Sequence, residues 1–130
     1  MSQQVKAVVA LAKGAPVEVV TINVPDPGPG EAVVKVLSCG VCHTDLHYRE
    51  GGINDDFPFL LGHEASGVVE AVGPDVTSVA PGDHVVLTPL PACGQCYFCT
   101  RNQPTLCQVY STSLFTNLLP DGTIPLSRNG

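Results

Sequence analysis

Short apolar, β-branched runs recur along this chain, and each is cut off by glycine or proline. Residues 5–11 and 17–24 are two such runs, separated by Lys13-Gly14-Ala15-Pro16, and they predict a hairpin-like pair of strands. Pro25-Asp26-Pro27-Gly28-Pro29-Gly30 then excludes regular structure, because prolines fix φ and remove donors. Residues 32–37 predict a third strand. Thr44 or Asp45 is suited to cap a short helix that runs through His47 and Tyr48 and stops at Gly51-Gly52. Residues 55–61 read as a loop bent by Pro58, and residues 62–72 as a strand opening with Gly-His-Glu and turned by Gly73-Pro74-Asp75. Pro81-Gly82-Asp83 is a second turn, feeding a strand over residues 84–88. After a cysteine-rich stretch, a polar segment carries Asp121-Gly122 as a hairpin signal, and Arg128-Asn129-Gly130 reads as a turn with a strand due after it. The pattern is mainly β with one or two short helices and no internal repeat, so a Greek-key-like barrel or sandwich is expected.

Bulk properties narrow the function more than the fold. At 130 residues the chain is one domain by length, able to bury one real core, and its ending at a turn reads as the front piece of a longer protein. Twelve acidic residues against six Lys and Arg give a net charge of −6, which argues against a nucleic-acid partner and against an anionic membrane. Apolar runs are far shorter than the roughly 18 residues that a spanning helix needs. The N-terminal segment has only a short apolar run at residues 8–11, broken by Lys13, so no signal peptide is expected. Six cysteines without such a signal point to a reducing cytoplasm, where cysteine spacing means metal or catalysis more often than disulfides.

Two constellations carry chemistry. Cys93, Cys96, Cys99 and Cys107 stand at C-x2-C-x2-C-x7-C within a lobe over residues 91–110. Four thiolates are the set that a structural Zn²⁺ takes tetrahedrally, leaving no open position. An iron–sulfur cluster of the ferredoxin type fits less well, because its fourth cysteine comes three residues on and is followed by proline, whereas Gln108 follows here. Unmetallated or disulfide cysteines are the remaining alternative. The second constellation is Cys42, His63 and Glu64, with Thr44, Asp45 and His47 nearby. A catalytic zinc uses three protein ligands and an exchangeable fourth, but a buried cysteine and a satisfied histidine are commoner than a two-ligand site. Read alone, Thr44 is a helix cap and His47 a surface residue. His63-Glu64 lacks the second histidine of H-E-x-x-H, and Gly28-Pro29-Gly30 lacks the third glycine and the helix of a dinucleotide loop. Cys39 reads as a small buried thiol and His84 as a core or edge residue, while Tyr48, Phe57 and Phe59 fit a pocket wall or plain packing equally well.

Together the constellations carry more than either does alone. Gly40-Val41-Cys42-His43-Thr44-Asp45, Gly62-His63-Glu64, Pro81-Gly82-Asp83-His84-Val85 and the four-cysteine lobe occur in an order and spacing that resembles the zinc-dependent medium-chain alcohol dehydrogenases. The resemblance covers essentially the whole chain, as the N-terminal GroES-like catalytic domain of that family. Residues 42–64 look closest to the mycothiol-dependent formaldehyde dehydrogenases and class III-like enzymes, and residues 108–130 look more like general alcohol dehydrogenases. The resemblance implies a GroES-like, partly open β-barrel with short helices and a structural-zinc lobe, the Rossmann domain lying outside this chain. It implies two zinc ions per full-length subunit, one held by Cys93, Cys96, Cys99 and Cys107 and one by Cys42 and His63 with Glu64 beside it. Asp45 would then orient His63, Thr44 would hydrogen-bond the alcohol and start a proton relay to His47, and His43 would lie near the pyrophosphate of NAD(P). The implied substrate is a primary alcohol or a hydroxymethyl-thiol adduct, the full-length protein a homo-oligomer, and the fragment alone inactive. The rival is a zinc-stapled GroES-like binding module without catalysis, which leaves Cys42, Thr44 and His63 as coincidence.

Overall fold

The computed structural model describes residues 2–128. The chain folds as two compact units, one running to Leu87 and rejoined by the tail from Leu126, the other Thr88–Pro125.

The first unit is built from two antiparallel three-stranded sheets. β1 (Gln3–Ala10) and β2 (Glu18–Val24) form the expected hairpin, in register from Gln3 opposite Val24 to Val9 opposite Glu18. Between them Gly14 takes φ 69°, a left-handed conformation open to glycine, and its N–H donates to the Arg49 carbonyl at 2.8 Å. β3 (Ala32–Cys39) leads to helix α1 (His43–Arg49), followed by β4 (Phe59–Leu60), β5 (Ala65–Val72) and β6 (His84–Val86). The sheet orders are β2-β1-β4 and β3-β5-β6. Among the described residues the strands form no closed barrel, as expected for a partly open one.

Four local expectations are corrected. Residues 55–61 are not loop throughout: Phe59 and Leu60 pair with Ala10 and Val9, the Leu61 N–H donates to the Val8 carbonyl at 3.0 Å, and Phe59 is buried. The strand expected from residue 62 starts at Ala65, because Gly62 turns the backbone at φ 104° and leaves Gly-His-Glu ahead of the sheet. Asp121-Gly122 makes a tight turn, with the Gly122 N–H on the Leu119 carbonyl at 2.8 Å, but no strands flank it among the described residues. The helix cap also falls earlier than expected, two residues before Thr44 and three before Asp45. Cys42, with extended backbone at φ −103° and ψ 152°, is the N-cap, and Asp45 sits three residues into the helix. The expected turn at Asn129-Gly130 lies outside the described residues.

Both ends of α1 are fixed by hydrogen bonds. The Asp45 carboxylate Oδ2 accepts the Cys42 N–H at 3.0 Å, answering one of the orphan donors of the first turn. At the other end Gly51, at φ 72°, donates to the Tyr48 carbonyl and Gly52 donates to the His47 carbonyl at 2.8 Å. That pair of bonds is the Schellman arrangement, and it makes Gly51-Gly52 the stop that was expected. Tyr48 packs its ring 5.1 Å from Phe59, and Phe59 lies 4.7 Å from Phe57, so the three aromatics pack α1 against β4. Burial raises the Tyr48 phenol above its ordinary pKa.

The buried apolar set of this unit is small: Val9, Ala10, Phe59, Ala65 and Val69. Val41 and Val86 are 88% and 84% exposed, so part of the apolar patterning faces outward in this chain.

The second unit contains two 3₁₀ turns, Cys99–Arg101 and Pro104–Leu106, and a short helix α2 (Ser111–Thr116). Asn102 and Asn117 end their elements in left-handed conformations, φ 58° and 57°.

Gly67 is a point where the fold has no room. It lies opposite Val36 in the β3–β5 pairing, and a Cβ there would collide with the Lys35 backbone carbonyl. Gly67→Ala is therefore expected to destabilise the first unit by about 1–3 kcal/mol through overpacking, read from the urea midpoint. A change below about 0.5 kcal/mol, the range of an ordinary surface substitution, would show that β3 and β5 tolerate separation.

Candidate metal centres

The lobe gathers its cysteines by short-range means. The thiol sulfurs of Cys93, Cys96, Cys99 and Cys107 all lie within 4.8 Å of one another, and Cys107 is buried. Two of the pairs, Cys93 with Cys99 and Cys96 with Cys107, stand 4.0 Å apart. A tetrahedron of sulfurs at the zinc–thiolate bond length has edges of about 3.8 Å, so the four need almost no movement to enclose the ion. The surrounding backbone is arranged for negative charge. The Cys96 N–H donates to Cys93 Sγ at 3.3 Å and the Cys93 N–H to Cys107 Sγ at 3.4 Å. Backbone N–H groups at Cys99 and Gln108 lower the Cys96 thiol to about 6, and the N–H of Cys93 lowers Cys107. Cys99 is pushed up to about 11, first by burial and then by its neighbouring thiols, against the opposing N–H of Gly94. Crowded thiolates that amides alone do not fully satisfy call for a divalent cation, and the donor set fits zinc.

Outside the cluster, the lobe is braced by Arg101. Its guanidinium stacks 3.7 Å from the Tyr97 ring centre, and Nη1 donates to the Tyr97 carbonyl at 3.1 Å.

The second constellation assembles where two segments of the first unit meet. Cys42 precedes α1, while His63 and Glu64 come from the bend before β5, and their ligand atoms lie within 4.8 Å of one another. Thr44 Oγ1 is 3.6 Å from Cys42 Sγ. Asp45 is 8% exposed, and its Oδ1 lies 3.3 Å from His63 Nδ1. That oxygen is buried and has no aligned donor. A small rotation of the imidazole would let Nδ1–H satisfy it, leaving Nε2 as the lone-pair nitrogen that metal ligation requires. Cys42, His63 and Glu64 thus fit a borderline-soft ion with one side open.

His43 and His47 share a face of α1, both exposed, with ring centres 4.8 Å apart. Cys39 is exposed, which corrects the buried thiol expected there. It ends β3 where the strand leaves its sheet, so no layer covers it. His84 is exposed on the edge strand β6, the edge role of the two expected.

Residue-by-residue reading of the motif passed over Gly40. Its N–H donates to the Glu64 carbonyl at 3.0 Å, and a Cβ at Gly40 would collide with the Glu64 carboxylate. Glu64 reaches the cluster across a surface that only glycine leaves clear. The available signal was a glycine two residues before a ligand cysteine.

The sequence profile of the family described as alcohol dehydrogenase GroES-like domain matches residues 28–124. The chain belongs to this family. S-(hydroxymethyl)glutathione dehydrogenase of Escherichia coli is 45% identical over 126 residues, 96% of this chain and 34% of that protein. The crystal structure of benzyl alcohol dehydrogenase from Acinetobacter calcoaceticus superposes with a TM-score of 0.88 at 37% identity, covering 95% of this chain and 34% of that one. An Escherichia coli alcohol dehydrogenase solved with NADH superposes at 0.68 and 33% identity, over 82% of this chain and 31% of its own. The chain thus spans about a third of the length of the relatives it matches. Membership accounts for a mostly stranded GroES-like fold, and among the described residues no helix is long and apolar enough to cross a membrane.

Because the lobe's contacts centre on four sulfurs, Cys96→Ser is expected to cost it one metal and most of its order while leaving the sheets intact. Zinc content and chain-resolved hydrogen exchange check this. Loss of protection confined to residues 88–125 is the predicted result, and equal loss in β1 and β5 would contradict it.

Proposed function

We propose that the chain is the N-terminal catalytic domain of a zinc-dependent oxidoreductase that oxidises a primary alcohol or a hydroxymethyl-thiol adduct, delivering hydride to NAD(P) held mainly by a downstream domain. The observation that carries this reading is the open cluster: Cys42, His63 and Glu64 within 4.8 Å of one another, with the Thr44 hydroxyl 3.6 Å from the Cys42 sulfur. A closed four-sulfur site would be enough for a structural module. A second ligand set with one face free, a hydroxyl beside it and two exposed histidines on the same helix is not needed for structure.

Each residue has a role consistent with its chemistry. Cys42 and His63 would hold the catalytic zinc, with Glu64 as an adjacent or exchanging carboxylate. Asp45 would accept a hydrogen bond from His63 Nδ1–H and so fix ring orientation and tautomer. Bound there, zinc would supply Lewis acidity that makes a substrate hydroxyl easier to deprotonate. The Thr44 hydroxyl would accept a hydrogen bond from that substrate hydroxyl and donate its own proton toward His47, an exposed imidazole on the same helix that would hand it on to water. His43 lies on the same side and suits the phosphates of the cofactor. Cys93, Cys96, Cys99 and Cys107 would hold the second zinc, with no ligand position left open for chemistry.

Support for the substrate class comes from relatives named for both kinds of substrate, benzyl alcohol and S-(hydroxymethyl)glutathione. The NADH-bound neighbour supports the nicotinamide. A reducing cytoplasm suits a protein whose six cysteines are all free and of which five are assigned to metal, and a homo-oligomer is the expected assembly.

The test is reduction of NAD⁺ and NADP⁺ by the full-length protein with a panel of primary alcohols and with formaldehyde plus glutathione or mycothiol. Turnover with at least one donor is expected. Cys42→Ser should lower it by more than the roughly 10–100-fold that loss of an outer-shell partner costs, without a change in the melting transition. A zinc-replete protein that reduces neither nicotinamide with any donor would instead be the binding module.

A further inference from the structure

We propose that His43 and His47 form a bidentate surface site for a divalent transition metal, separate from the two cysteine-containing clusters. The pair lies at i and i+4 on α1, a spacing that sets two side chains on one helix face. Both imidazoles are exposed, neither belongs to either ligand cluster, and their ring centres are 4.8 Å apart with planes at 70°.

That separation matches chelation. An ion about 2.0–2.1 Å from an imidazole nitrogen sits roughly 3.2 Å from the ring centre, so two imidazoles at 90–109° around one ion have centres about 4.5–5.2 Å apart. The helix need not move to reach this arrangement. Its ends are already set by the Asp45–Cys42 bond and by the Gly51 and Gly52 donors. His47 Nδ1 is turned toward Gly52, 3.4 Å from where a Cβ would stand, which leaves Nε2 for the ion.

The donor set determines what would bind. Paired neutral imidazoles suit Cu²⁺, Ni²⁺ and Zn²⁺ and discriminate against Mg²⁺ and Ca²⁺. With only two protein ligands, water completes the shell, so binding is weaker than at the thiolate cluster and reversible. The site does not depend on the oxidoreductase reading. Where that reading holds, an ion here occupies the helix face assigned to the cofactor.

Equilibrium dialysis of the zinc-loaded, cofactor-free protein against Ni²⁺, with nickel and zinc counted separately, tests the proposal. One nickel per chain should bind without loss of zinc. His43→Gln and His47→Gln should each weaken that binding by at least about tenfold, because the second imidazole acts at high effective concentration once the first has bound. His84→Gln, which removes an exposed histidine on β6, should leave it unchanged, and circular dichroism verifies that each variant is folded. A smaller loss in either α1 variant, a comparable loss in His84→Gln, or nickel uptake matched by zinc release overturns the proposal and leaves the histidine pair as an edge-to-face packing contact.

Discussion

The open cluster depends on one buried carboxylate facing two ways. Oδ2 of Asp45 takes the Cys42 N–H and so sets where α1 begins, while Oδ1 stands 3.3 Å from His63 Nδ1 on a different segment. The helix start and the bend before β5 are separated by some twenty residues of chain, and this side chain is what relates their orientations. A buried carboxylate without partners is costly, so each of its contacts is strongly constrained. Gly40, two residues before Cys42, completes the arrangement by holding the Glu64 backbone and leaving space for its carboxylate. The cluster is thus specified by its supports as much as by its ligands.

The two metal centres differ in how they are built, and the difference suits their proposed roles. The lobe collects four sulfurs within fifteen residues, with backbone amides aimed at them, so it requires little from the rest of the fold. The open cluster draws on two segments brought together by antiparallel pairing of β3 with β5, including the bulges at Val33/Val34 and Val36/Ser38. A locally built site can be closed and inert. A site assembled from separate segments can leave a face free for substrate, and its geometry then depends on the whole sheet.

Much of this was legible in the sequence where one local force dominates. Val-rich runs bounded by Gly and Pro located the β1–β2 hairpin to within two residues, and Gly51-Gly52 marked the end of α1 because only glycine takes the required φ cheaply. Spacing alone picked out the cysteines that converge in the lobe. The misses came where tertiary context overrides local preference. Cysteine is not a favoured cap, yet Cys42 holds that position because Asp45 supplies the bond. β4 has two residues and follows a proline, too little pattern to see, and is a strand because β1 offers an open edge. Cys39 was expected to be buried on residue type, but it is the last paired residue of β3, opposite Ala65, and is exposed there. A glycine two residues before Cys42 hinted at a close approach, but its partner, the Glu64 carboxylate, is defined only once β5 is docked.

The central claim is that the protein has two unlike metal centres, one closed by sulfur and one open. Cadmium-113 NMR of the cadmium-substituted full-length protein tests it most directly, because the chemical shift reports the ligand atoms. The account predicts two resonances of equal intensity, one in the four-sulfur range and the other displaced toward mixed sulfur–nitrogen ligation. A single four-sulfur resonance at full metal loading would contradict it.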